Sequence, residues 1–150
     1  MSWIGTAIAY VVEHQAGGKT VDELIAKLAA SGAAVAERMA RAADTPGNRD
    51  VAAHIIGIER WGARRLRTAL GDVALADEYD GYRPGMEQDM AAMAEAFAEA
   101  REQTIALAHQ ATNLPSSVTA RHNDLGDLSV KGWLGYLGSH ATRELRRLRS

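Results

Sequence analysis

A chain of 150 residues, 47% hydrophobic and 5% aromatic, is the size of one ordinary domain. At that size roughly 70% of the unfolded chain's surface can be buried, so a core forms without covalent cross-links. The chain has no cysteine, which excludes disulfides, thiolate metal sites and cysteine nucleophiles and fits a reducing cytoplasm. Its formal charge of −2 argues against a nucleic-acid partner. The apolar stretch at residues 4–12 is too short to span a bilayer and follows no basic segment, so a cytoplasmic protein without a membrane partner is expected.

Residues 1–18 form an N-terminal arm or short helix ending at Gly17-Gly18. Trp3, Ala7, Tyr10 and His14 share one helical face there. The first long periodic segment runs from about residue 20 to 43. Thr20 and Glu23 form a capping-box pattern, and Val21, Leu24, Ile25, Leu28, Val35 and Met39 make one apolar stripe. The turn Thr45-Pro46-Gly47-Asn48 ends it. The second segment runs from about 48 to 70 and stops at Gly71-Asp72. Val51, Ile55, Ile58, Leu66 and Leu70 line one face, and His54 and Trp61 sit beside it. The third starts near Pro84 and carries Met86, Met90, Met93, Phe97, Ala100, Thr104, Leu107 and Ala111 in alternating steps of four and three. All three methionines are expected in the core. The fourth runs from about 129 to 149, with a stripe of Val130, Leu134, Leu137, Ala141, Leu145 and Leu148.

No segment has the alternation of a half-buried strand, so an all-α domain over residues 1–150 is expected, with a four-helix bundle and no sheet. The connections at 71–83 and 112–128 are long, and one of them can cross the length of a bundle. Arginines at 60, 64, 65 and 67, and again at 143, 146, 147 and 149, read as solvated faces that compensate helix dipoles. His14, His109 and His122 carry no assigned role, and Ser116, Ser117 and Ser129 lack a nucleophile's context.

Two stretches carry a resemblance. AAHIIGIERWGARRL (52–66) resembles the second helix of DinB-like proteins, which holds a metal-binding His. WLGYLGSHATRELRRL (133–148) resembles their last helix, where Trp-Leu precedes a His and a second ligand follows four residues later. Helix order and spacing agree over about residues 20–149. The resemblance implies an up-down-down-up four-helix bundle with a long crossover between its second and third helices. It also implies a divalent metal, and in some branches thiol-dependent transfer or isomerisation with mycothiol or bacillithiol. Carried over, the ligands are His54, His140 and Glu144. Residue 144 departs from the commonest pattern, being Glu and not His. The mycothiol-type branch also uses two His and one Glu, but there the carboxylate precedes the last helix's His.

The residues themselves agree with that set. His140 and Glu144 are four apart, so a helix puts them on one face. His54 and Glu144 each lie about six residues, or ~9 Å, from a helix end, and these levels coincide if the two helices are antiparallel. Two imidazoles and a carboxylate with an open position suit Zn²⁺, or Fe²⁺ or Ni²⁺. Glu144 has a second option, pairing with Arg143, Arg147 or His140. Three functions stay open: a metal-dependent enzyme acting on a small molecule with a low-molecular-weight thiol, a non-catalytic helical domain, and a small-ligand binding protein. The apolar N-terminal segment points to a homodimer.

Overall fold

Five helices dominate the computed structural model, which describes residues 2–150. They are α1 (Trp3–Gly17), α2 (Val21–Arg41), α3 (Pro46–Ala69), α4 (Met90–Gln110) and α5 (Val130–Glu144). An antiparallel hairpin of β1 (Thr119–His122) and β2 (Gly126–Ser129) leads directly into α5. Short 3-10 turns lie at Tyr79–Tyr82 and Leu145–Arg147. No described helix is long and apolar enough to cross a membrane.

Each helix starts on a side chain that accepts an otherwise orphaned amide: Ser2, Thr20, Thr45, Asp89 and Ser129. The Thr20 hydroxyl takes the Glu23 amide at 3.0 Å, half of the expected capping box. Thr45 takes the Asn48 amide at 3.1 Å with Pro46 in the first turn, so α3 begins within the stretch read as a turn.

Two apolar clusters form the core. One gathers Leu24, Leu28, Trp61, Trp133 and Leu137; the other gathers Met39, Ile55, Ile56, Met93 and Phe97. Where α2, α3 and α4 meet lies a buried ion pair. Arg101 donates to both Glu59 oxygens at 2.9 and 3.0 Å and to the Leu28 carbonyl at 2.9 Å. The Thr104 hydroxyl donates to Glu59 at 2.7 Å. Both charges are thus fully hydrogen-bonded, which offsets much of their desolvation cost.

Asn48 ties one end of the molecule together. Its amide donates to the Ala43 and Arg149 carbonyls at 2.8 Å, and its oxygen accepts the Arg149 amide at 2.8 Å. This pins the start of α3 to the end of the chain. Higher up, Gly62 leaves room for Leu137, whose methyl would lie 2.5 Å from any Cβ placed there. The two anchors fix the register of α3 against α5.

Five expectations need correction. The stretch 112–128 holds a two-stranded sheet; its strands are four residues each and too short to show alternation. The third periodic helix begins at Met90, not near Pro84, because Asp89 caps it by accepting the Ala92 amide at 2.9 Å. Met86 is therefore 43% exposed, whereas Met90 and Met93 are buried. The last helix is α-helical only to Glu144 and tightens to a 3-10 turn before the buried Leu148. Finally, Arg65 is not on a solvated face. It is buried and reaches Asp77 at 2.7 Å, the Arg121 carbonyl at 3.0 Å and Asn123 at 3.2 Å.

Candidate metal centre

α3 turns His54, Ile58 and Trp61 toward α5, as their spacing of four and three requires. α5 answers with Trp133, Tyr136 and His140. The anchors at Asn48 and Gly62 bring His54 and His140 level, with their Nε2 atoms 3.2 Å apart. His54, His140 and Glu144 each offer a ligand atom, and these atoms all lie within 4.8 Å of one another. Among the described residues, this group could hold a metal ion.

The two imidazoles are spaced for one. Two nitrogens at about 2.0–2.1 Å from a tetrahedral ion stand ~3.3 Å apart, close to the spacing here. The protonation states fit too. Burial, with His54 adding to it, holds His140 down to about 4. Burial also lowers His54, against the pull of Glu144. Both imidazoles are therefore neutral near pH 7, the form that binds metal. Burial opposes ionisation of Glu144, but the hydrogen bond from Arg147 at 3.0 Å and the neighbouring imidazoles outweigh it and lower its pKa. Two neutral nitrogens and one anionic oxygen make a donor set matched to a divalent cation. Glu144 takes both of its options: it pairs with Arg147 while staying within the ligand cluster.

Beside the ligands lies a cavity of about 240 Å³. Trp61, Tyr79, Tyr136 and His122 wall it, and Glu78 and Arg143 also line it. Tyr79 stands edge-on to His54 at 5.2 Å. It belongs to the 3-10 turn whose approach is fixed by Asp77. The Asp77 carboxylate accepts from Arg65 and from the Tyr82 hydroxyl, and its carbonyl accepts from Trp61 Nε1 at 3.0 Å and Asn123 at 3.1 Å. The buried arginine therefore holds the loop that closes the cavity. Tyr136 stays a phenol because burial pushes its pKa up.

His122 was missed by sequence reasoning. It projects from β1 and packs edge-on against Trp61 at 4.9 Å and Tyr136 at 4.6 Å. Its Nδ1 accepts the Asp124 and Leu125 amides, both at 3.1 Å, which assigns the ring proton to Nε2. The shared direction of His54 and Trp61 and the four-residue step from Tyr136 to His140 were usable signals for the pocket wall; a histidine in a polar connection gives none. His14 and His109 are exposed. Ser129 caps α5 and donates to Glu13 at 2.7 Å, so it is a structural residue. Comparison with protein-family models, with curated proteins and with solved structures finds no match for this chain.

Proposed function

We propose that this is a DinB-like, metal-dependent protein that performs thiol-linked transfer or isomerisation on a small molecule. The observation that carries the reading is the convergence of His54, His140 and Glu144 from α3 and α5 beside a cavity of mixed polar and aromatic lining. The proposed architecture is a four-helix bundle of α2 to α5, up-down-down-up, with 70–89 as its long crossover. Several cross-helix pairs support those directions: Asp44 with Met90 near one end, Glu59 with Arg101 midway, and His54 with His140 across α3 and α5.

His54, His140 and Glu144 would hold Zn²⁺, or Ni²⁺ or Fe²⁺. Such an ion supplies a Lewis acid that lowers the pKa of a bound thiol or water. The chain's own groups do the rest. Tyr136, held as a phenol, offers a hydrogen-bond donor to a substrate oxygen. Arg143 lines the cavity and offers charge to an anionic substituent. Trp61 and Tyr79 provide flat apolar walls that orient the organic part and exclude water. At about 240 Å³ the cavity is smaller than the usual ligand pocket, which suits a compact substrate.

The test is elemental analysis of protein purified without a metal-affinity tag, followed by titration with Zn²⁺, Ni²⁺ and Fe²⁺. About one equivalent per chain is expected, and His54→Ala or His140→Ala should abolish it while the far-UV spectrum stays helical. Absence of stoichiometric binding by all three metals ends the metal reading. For the thiol, mycothiol and bacillithiol should each be assayed for metal-dependent conjugation to monochlorobimane; no rate above the His140→Ala background with either thiol ends that part.

A further inference from the structure

A second, larger cleft lies where the end of α1 and the start of α2 meet α5. Its volume is about 590 Å³, within the range of small-ligand pockets. Ala16, Leu24, Leu28 and Leu134, all buried, form its apolar floor. Four cations line it: Lys19 from the junction of α1 and α2, Lys27 from α2, Arg143 from α5 and Arg146 from the 3-10 turn that follows. No carboxylate lines it, although the chain's 19 acidic residues outnumber its 17 lysines and arginines. Among the described residues, Lys19, Lys27 and Arg146 enter no ion pair, and Arg143 comes only within 3.9 Å of Glu144.

Dipole compensation accounts for Lys19 after α1 and for Arg146 after α5. It does not account for Lys27, in the second turn of α2, or for the exclusion of every acid from the lining. An apolar trough lined by four cations and no acid is complementary to one kind of molecule. We infer that this cleft binds a small amphipathic carboxylate, its apolar body along Leu24, Leu28 and Leu134 and its head among the lysines and arginines. Guanidinium groups suit carboxylates because their forked donors match the two oxygens. Arg143 lines both this cleft and the smaller cavity, but Lys19, Lys27 and Arg146 take no part in the ligand group, so the inference stands on them apart from the metal reading.

The experiment titrates the full chain with 8-anilinonaphthalene-1-sulfonate and displaces the fluorophore with dodecanoate, dodecanol or inorganic phosphate. Dodecanoate should displace it at least about tenfold more tightly than dodecanol, and phosphate should fail, because the site needs both body and head. Raising the salt should weaken dodecanoate more than dodecanol. The Lys27→Glu/Arg146→Glu double variant should lose about tenfold or more for dodecanoate and little for dodecanol. Ser139→Trp, which fills the cleft from an exposed position, should lose binding of both. Far-UV spectra of these variants should match the parent, and stripping metal should change nothing. Equal displacement by dodecanol and dodecanoate overturns the inference. So does unchanged binding in both variants, which moves the probe to another surface. Binding to anionic phospholipid vesicles without affinity for free dodecanoate also overturns it.

Discussion

Glu144 is the ligand whose role is most divided, because the same carboxylate that faces the imidazoles also accepts from Arg147. Glu144→Gln keeps an oxygen at the site but removes the negative charge, so metal affinity should fall by about 1.4–2.8 kcal/mol, ten- to a hundredfold. That is less than either His→Ala loss, and isothermal titration with Zn²⁺ measures the difference. A second residue-scale consequence concerns acid. Burial, aided by Arg65 and opposed by Asp124, holds His122 at about 4 in place of 6.5, and His140 is held at a similar value. Their folded pKa lies below the unfolded one, so on acidification the unfolded chain takes up protons first. Stability is fully present above pH ~6.5 and is lost as pH falls toward ~4, at up to ~1.4 kcal/mol per pH unit for each group. Urea denaturation of metal-free protein at pH 7 and pH 4.5 should show that loss. His122→Asn keeps an acceptor for the Asp124 and Leu125 amides but removes the titrating ring. Its midpoint should be lower at pH 7 and fall less on acidification; an unchanged pH slope would contradict the assignment. His54, His140 and Glu144 were legible because a four-residue step on one helix and a motif on another named them. His122 was not, since its role comes from long-range packing against Trp61 and Tyr136.

The elements that were legible are those whose signals are local. Thr20 caps the helix it precedes, the stripe on α2 is buried throughout, and that on α3 is buried from Val51 to Leu66. The hairpin was illegible for the converse reason. Thr119–His122 and Gly126–Ser129 are short, and what holds them is tertiary: Trp133 Nε1 donates to the Ala120 carbonyl at 2.9 Å, and Arg65 donates to the Arg121 carbonyl. Gly126, at φ +83°, turns the hairpin in a conformation other residues adopt only with strain. Met86 continued the period of α4 in sequence, but periodicity cannot see where Asp89 starts the helix. The Glu59–Arg101 pair was hidden for a further reason: a charge on an apolar stripe has no partner visible in sequence 42 residues away. Its energetics are testable. Glu59→Ala leaves the Arg101 guanidinium buried without its counter-ion and should cost about 3–5 kcal/mol. The double variant Glu59→Leu/Arg101→Met removes both charges and should recover much of that loss, because the desolvation cost disappears with them. Chemical denaturation of the two variants decides it. A double variant no more stable than Glu59→Ala would mean that the pair contributes through geometry that hydrophobic packing cannot replace.

At the scale of the whole molecule, α1 is the element whose burial is incomplete. Its inner side is tied down: Gly5 lies so close to the Asp124 carbonyl that a Cβ there would meet it at 2.4 Å, Ala16 is buried, and Glu13 accepts the Ser129 amide at 2.8 Å. Its outer side carries Trp3, Ile4, Ile8, Tyr10 and Val11, from 46% to 79% exposed. These residues share a continuous face rather than being scattered, and contiguous apolar surface of this kind is characteristic of association. A second copy of the same helix is the simplest occupant, because a two-fold axis lets one patch cover its own image. We therefore propose a homodimer through α1. Deleting α1 is a poor test, since it also removes Glu13 from the cap of α5 and Ala16 from the core. Ile8→Glu with Val11→Glu changes only the outer face and places like charges opposite each other across the axis. Light scattering coupled to size exclusion, at tens of micromolar chain, should give a dimer for the parent and a monomer for the variant, with equal far-UV helicity and the same metal stoichiometry. A monomeric parent at that concentration would end the proposal. A dimer that survives both charges would move the interface to another face.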